Sequence, residues 1–260
     1  MVDAGGDSPV NHLIEITTPS RWVTDRLGIG QTSTIDPATW LTLSEQSLLE
    51  TISGMIFRDD SGEISAIRSE LAWYPDDIWR YRLAAQWMRI DQLEPFIGRC
   101  GEIGDDPGSQ LVAMSVVRDV MKLAFLMERR YAPYAKWFGT AFARLDLASA
   151  LAPHLNRARF ANAWEERERG VVDALAVLAN RHNALGLTEW IDPAPRQFHA
   201  RPFTVMSSAR FSEALLATIL NSEVRALPRN LGGIDQYIDS TDAMNNHGLH
   251  EAIRQWITQG

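Results

Sequence analysis

The chain has 260 residues, with 25 Lys and Arg against 33 Asp and Glu, for a net charge of −8 at neutral pH. That balance speaks against nucleic acid as the partner, because phosphates call for a basic surface. The 45% hydrophobic and 22% charged content suits a globular chain that buries a core. A single cysteine, Cys100, leaves no intramolecular disulfide, and no apolar run approaches the ~20 residues that span a bilayer. The N-terminus has neither a basic n-region nor an apolar h-region, so no membrane role is expected and the expected compartment is the cytoplasm.

In chain order, residues 1–11 read as a disordered start, rich in Gly, Asp, Ser and Pro. HLIEITT, residues 12–18, alternates and is β-branched, so it reads as a strand, yet no strand partner follows. Thr18-Pro19-Ser20 starts a short helix through about Arg26, stopped by Gly28. DPATWLTLSEQSLLETISGM reads as one helix, with Leu48, Leu49, Ile52 and Met55 on a stripe. IFRDDSGEIS is either a small hairpin or a loop into a helix from Ser65 to Trp73. Tyr74-Pro75-Asp76-Asp77 opens a helix over about 76–98, and GEIGDDPG is a loop. Ser109 then opens a helix to about Tyr131, broken by Ala132-Pro133-Tyr134.

Further helices are expected from Tyr134 to Leu145, over Leu147–Leu155 with an interruption at Pro153, and along ARFANAWEERERGVVDALAVLANRHNALG as one long amphipathic element. Residues 192–203 read as an extended connector, followed by helices near 208–220 and 246–258 with an irregular piece, LGGIDQYIDSTD, between them. The fold class expected is all-α: one irregular multi-helix domain over 12–260, with a short N-terminal strand and at most one small hairpin. Nine tryptophans, most of them core material, fit a bulky helical interior.

Three constellations carry candidate chemistry. On the helix after Ser109, the residues Ser115, Arg118, Lys122, Phe125 and Arg129 recur at three, four, three and four, hence on one face. Two cations there suit an anion, with Asp119 one position round; the competing reading is a solvated face with Asp119 paired to Lys122. ERRYAPYAKW turns Tyr131, Tyr134, Lys136 and Trp137 around the Pro133 break, a plausible small-molecule edge or merely a capped helix junction. GRCGEIGDDPGS, with Arg99 and Ser109 at its ends, brings glycines and a helix start together without the Gly-Lys-Ser/Thr of a phosphate loop. His247 and His250 form an isolated H-x-x-H, so no metal is expected, and there is no nucleophile motif of the serine or cysteine hydrolases.

WRYRLAAQW, the FIGR…GD…GS run and RDVMKLAFLMERRYAPYAKWFGTAFARL resemble the bacterial family called domain of unknown function 4037. HNALGLT at 182–188, RPF at 201–203 and IDQYIDSTD at 234–242 extend the resemblance, which runs from about Ile14 onward. Full-length members look like nucleotidyltransferases in two parts: an α/β domain with Gly-Ser and paired aspartates for Mg²⁺ and phosphates, then a helical acceptor-side domain. This chain resembles the helical part alone. Gly108-Ser109 is followed by Asp119 without a second Asp two residues away. The strand at 12–18 sits where the last strand of that sheet is expected, so it could pair in a homodimer or with a separate catalytic chain.

The leading expectation is a small-molecule-binding protein or metal-independent enzyme, without cofactor. Its pocket would be lined by Trp79, Trp87, Arg99, Ser109, Arg118, Lys122, Tyr131, Tyr134, Lys136 and Trp137. Arg118 and Lys122 would hold an anionic group, Asp119 or Glu128 would act as base, and Tyr131 or Tyr134 would donate a proton. The alternatives are the acceptor subunit of a split nucleotidyltransferase and a non-catalytic interaction protein.

Overall fold

The computed structural model describes residues 14–30, 32 and 35–259. Thr18 caps α1 (Pro19–Leu27), its hydroxyl accepting from Arg21 N at 3.3 Å, and Gly28 ends it in the left-handed conformation with φ 67°. A Cβ at position 28 would lie 2.7 Å from the His247 ring, so both the dihedral and the space require glycine. The single helix expected over 36–55 is two. α2 (Pro37–Thr42) stops at the extended Leu43, and Ser44 caps α3 (Glu45–Ile52) by accepting from Ser47 N at 3.2 Å. A serine that can cap offers the backbone an alternative to continuing the helix. Met55 falls beyond α3 and is exposed.

Residues 53–62 form a loop, not a hairpin, leading into α4 (Glu63–Glu70). The helix expected over 76–98 ends earlier, as α5 (Asp76–Leu93), and Pro95 starts α6 (Phe96–Glu102). α7 (Asp106–Met127) begins three residues before Ser109, because Asp105 caps it, accepting from Gly108 N at 2.9 Å with Pro107 in the first turn. It ends where Arg129 turns left-handed, with φ 53°, so that Arg130 N reaches back to Phe125 O at 3.0 Å.

α8 is Ala135–Phe142, and α9 (Ala148–Phe160) runs through Pro153 without the expected interruption. ARFANAW spans a break, since α10 is Trp164–Ala184; Phe160 lies outside it and is exposed. The connector expected over 192–203 holds β1 (Arg196–Gln197), paired antiparallel with β2 (Thr204–Val205), Arg196 opposite Val205. α11 (Ala209–Ala217), α12 (Ser222–Arg225), α13 (Ile234–Tyr237), α14 (Thr241–Met244) and α15 (His247–Gln259) complete the chain.

The protein is therefore mostly all-α, with one two-stranded hairpin among the described residues. Residues 14–18 form no strand: the sheet described pairs β1 with β2 alone, and Ile16 is fully exposed. His12 and Leu13, like the expected disordered stretch 1–11, lie outside the described residues.

α5 and α7 pack on each other at the centre. α11 covers α5, while α6, α9 and α10 cover α7. α5 buries nearly its whole circumference, including Trp79, Tyr81, Leu83, Trp87 and Ile90. This explains its lack of a clean polar face. α9 and α10 come into close contact at Gly170, where an added Cβ would stand 2.6 Å from Ala158 N and 2.8 Å from His154 O. Both are backbone atoms that cannot swing aside. Gly170→Ala is expected to destabilise the chain by about 1–3 kcal/mol, read from urea unfolding midpoints; an unchanged midpoint would mean that the two helices separate freely there.

Candidate functional site

A cavity of about 200 Å³ opens where α3, α7, α8 and α13 converge. α3 contributes Glu45 and Gln46, α5 Gln86, and α7 Arg118, Lys122 and Leu126. The turn at 132–134 and α8 add Pro133, Tyr134 and Phe138; Asp235, Gln236, Ile238, Asp239 and Met244 close the other side. Apolar surface from Leu126, Phe138, Ile238 and Met244 meets convergent polar groups there, the make-up of a small-molecule site.

The polar groups beneath it form one network around Arg82, whose side chain is completely buried. Arg82 donates to Glu45 Oε1 at 2.7 Å and to the Tyr74 hydroxyl, and its guanidinium stands 3.7 Å from Asp235 Oδ2. Glu45 Oε2 accepts from Ala132 N at 2.6 Å, and Glu45 N donates to Asp235 Oδ2 at 3.0 Å. Burial is the largest influence on Glu45 and pushes its carboxyl up to about 7; Arg82 opposes this and Asp235 adds to it. Alongside, Gln236 Nε2 donates to Gln86 Oε1 at 2.9 Å, and Gln86 Nε2 to Asp119 O at 3.2 Å, so both glutamines are held.

Lys122 is bound differently. Its ammonium donates to the main-chain carbonyl of Asp235. No carboxylate among the described residues lies within 4.0 Å of it. Burial lowers its pKa from the usual lysine value, with Asp119 and Asp235 partly offsetting the effect. A half-neutral acid and a desolvated lysine in one cavity are the arrangement that acid–base chemistry uses.

Of the residues singled out in the sequence, Arg118, Lys122 and Tyr134 line this cavity. The others lie elsewhere. Asp119 is fully buried and accepts from Arg89 Nε at 3.1 Å through both oxygens, not from Lys122. Glu128 turns away to accept from Asp146 N at 3.1 Å and Leu147 N at 2.8 Å, tying down the entry to α9. Tyr131 is in the core, its hydroxyl donating to Leu71 O at 3.0 Å, and burial raises its pKa. Trp79 donates to Leu126 O at 2.7 Å beneath the Arg129 guanidinium, and Trp87 stacks on Phe211 with ring centroids 4.5 Å apart.

Ser109 is buried on the far end of α7 and receives Arg167 Nε at 3.3 Å. Arg99 lies over the Phe96 ring, while Lys136 and Trp137 are exposed on the outer face of α8. The Pro133 corner thus divides its residues: Tyr134 faces inward, while Lys136 and Trp137 face out.

Sequence reasoning missed Glu45, Asp235, Gln86, Gln236 and Phe138. Glu45 stands in the first turn after a serine cap, where a carboxylate ordinarily complements the helix dipole in water. Its partner Asp235 is 190 residues away, in a stretch that reads as irregular. Phe138 was the one member with a signal, lying in the same helical turn as Tyr134.

Residues 40–138 match the model of a family described as a domain of unknown function, DUF4037. The resemblance holds over that span, which carries the cavity lining except Gly139 and the residues from 235–244. No curated protein and no solved structure matches the chain.

The raised Glu45 value has a consequence for stability. Its carboxyl ionises near its ordinary value of 4.5 in the unfolded chain and at about 7 in the folded one. Folding therefore favours the protonated form, and this contribution is lost as pH rises from 4.5 to 7. Glu94 and Glu168, also raised to about 7, act in the same sense, and His182, lowered to about 4, acts in the opposite one. Subtracting the stability of Glu45→Gln from that of the wild type removes those three. The difference should shift against the wild type as pH rises through that window, measured by urea unfolding; a pH-independent difference would return Glu45 to the ordinary carboxylate range.

Proposed function

We propose that this chain binds a small molecule in the cavity between α3, α7, α8 and α13, and uses Glu45 and Lys122 as its acid–base groups without a metal. The observation that carries this reading is the presence in one cavity of a carboxyl near 7 and a partly buried lysine whose only hydrogen-bond partner among the described residues is a neutral carbonyl. Arg118 adds a charged rim: its guanidinium reaches Asp239 at 3.2 Å, while its Nε is buried and unpartnered. The side chain is 42% exposed, so the rest of the guanidinium can meet an acceptor on the ligand.

Leu126, Phe138 and Met244 offer an apolar wall to the body of the ligand. Glu45 is held in place by Arg82 and the Ala132 amide, so its geometry is set before a ligand arrives. Tyr134, on the rim, is the phenol available for proton donation. Among the described residues no group of three or more His, Cys, Asp or Glu side chains is arranged to hold a metal ion.

A thermal-shift series on the purified chain tests the reading, with organic carboxylates, small carbonyl compounds, and nucleoside triphosphates with and without Mg²⁺. A ligand present at 100 times its Kd stabilises by about 2.7 kcal/mol, well within reach of the method. Lys122→Met is expected to abolish the shift while leaving the unliganded melting temperature near that of the wild type. Full retention of the shift in that variant would remove Lys122 from the site. Stabilisation by nucleoside triphosphates alone would favour an acceptor domain working beside a separate nucleotidyltransferase chain.

A further inference from the structure

We propose that Lys122 is a nucleophile that holds a small aldehyde or ketone in the cavity as an imine, with 2-oxo acids the best-fitting class. This rests on the reading that the cavity is the ligand site. It adds a covalent bond and a carbonyl substrate.

The first support is composition. Only two of the 25 basic residues are lysines, Lys122 and Lys136. Where this fold pairs a buried carboxylate it uses arginine, as in Arg82 with Glu45 and Arg89 with Asp119. Lys122, partly buried and without such a partner among the described residues, is the cation at the cavity that can lose its proton and attack carbon, which a guanidinium cannot. The second is position. Lys122 lines a cavity with apolar walls at Leu126, Phe138 and Met244, which limit the water around the amine and an imine formed on it. Arg118, one helical turn away on the same face, brings a part-exposed guanidinium to the same cavity. A carboxylate adjacent to the carbonyl would meet it.

The step balances without an oxidant or reductant. The neutral Nζ of Lys122 forms a bond to the carbonyl carbon, and a proton passes from nitrogen to the carbonyl oxygen to give a carbinolamine. The carboxyl of Glu45 supplies a second proton, the hydroxyl leaves as water, and a C=N bond forms. The products are an iminium on Lys122, a Glu45 carboxylate already paired with Arg82, and one water.

The chain suits a direct test, because exposed Lys136 serves as the internal control. The full-length protein is treated near neutral pH with sodium cyanoborohydride and either pyruvate or butanal, and the adduct is located by intact mass and peptide mapping. Lys122 is expected to be alkylated about tenfold faster than Lys136, with pyruvate ahead of butanal. Lys122→Arg, which keeps a cation in the cavity, should lose that adduct and keep the slow one on Lys136. Equal labelling of the two lysines, or labelling of Lys136 and the N-terminal amine alone, overturns the proposal. Carbonyl-free ligands that still shift the melting temperature in that event leave a non-covalent site at the cavity; loss of both signals removes the cavity as the ligand site.

Discussion

A buried guanidinium must be neutralised where it stands, and much of this structure is arranged to do so for Arg82. Its partners come from three parts of the chain, two of them distant: Glu45 at the start of α3, Asp235 in α13, and Tyr74 just before α5 itself. Removing one charge from such a set leaves the other uncompensated in a low-dielectric interior, which costs several kcal/mol. Arg82 also explains Gly233, where a Cβ would lie 2.6 Å from the guanidinium carbon. The chain before α13 can therefore settle directly on the cation. The cavity exists because α3 and α13 are both drawn to this point while α7 and α8 complete the enclosure.

Apart from Asp119, which meets Arg89, several other buried and partly buried carboxylates serve the backbone. Glu94 accepts from Met206 N and Ser208 N, Asp91 from Ala209 N, and Asp77 from Leu220 N and Asn221 N, each tying a connection back to α5. Glu128 does the same for the chain entering α9. Irregular segments between helices carry amides that no helix satisfies, and a carboxylate is a strong acceptor for them. Against this background Glu45 is unusual: it also takes a backbone amide, but its other oxygen meets a buried cation at the floor of a cavity.

The charges along α7 and just past its end are accordingly of several kinds; Asp106, in the first turn, meets the buried Arg167. Asp119 is a buried ionic contact with Arg89, and Arg129 packs on Trp79 and pairs with Asp76 at the end of the helix. Arg118 and Lys122 face the cavity. One apolar helix carries ionic groups because it lies between two other packed layers and a pocket at once, and its circumference is divided among them.

Sequence alone determined the elements whose causes are local. The Thr18-Pro19 start and Gly28 stop of α1, the Asp76-Asp77 start of α5, the break at Pro133 and the all-α character were legible because caps, glycines, prolines and helical periodicity act within a few residues. Sequence also placed Arg118 and Lys122 on one face of α7. It did not separate α2 from α3 at Ser44, or find the hairpin at 196–205, where short elements are decided by what they pack against. Only the tertiary structure decided which of the candidate residues share a cavity. Asp119 and Lys122 differ by less than one helical turn, yet one is sealed against Arg89 and the other opens onto Glu45 and Asp235, because neighbouring positions on a helix point to different partners. Those partners come from segments as much as 190 residues apart, and their approach follows from the burial of Arg82, a cation whose sequence surroundings look like any other helix.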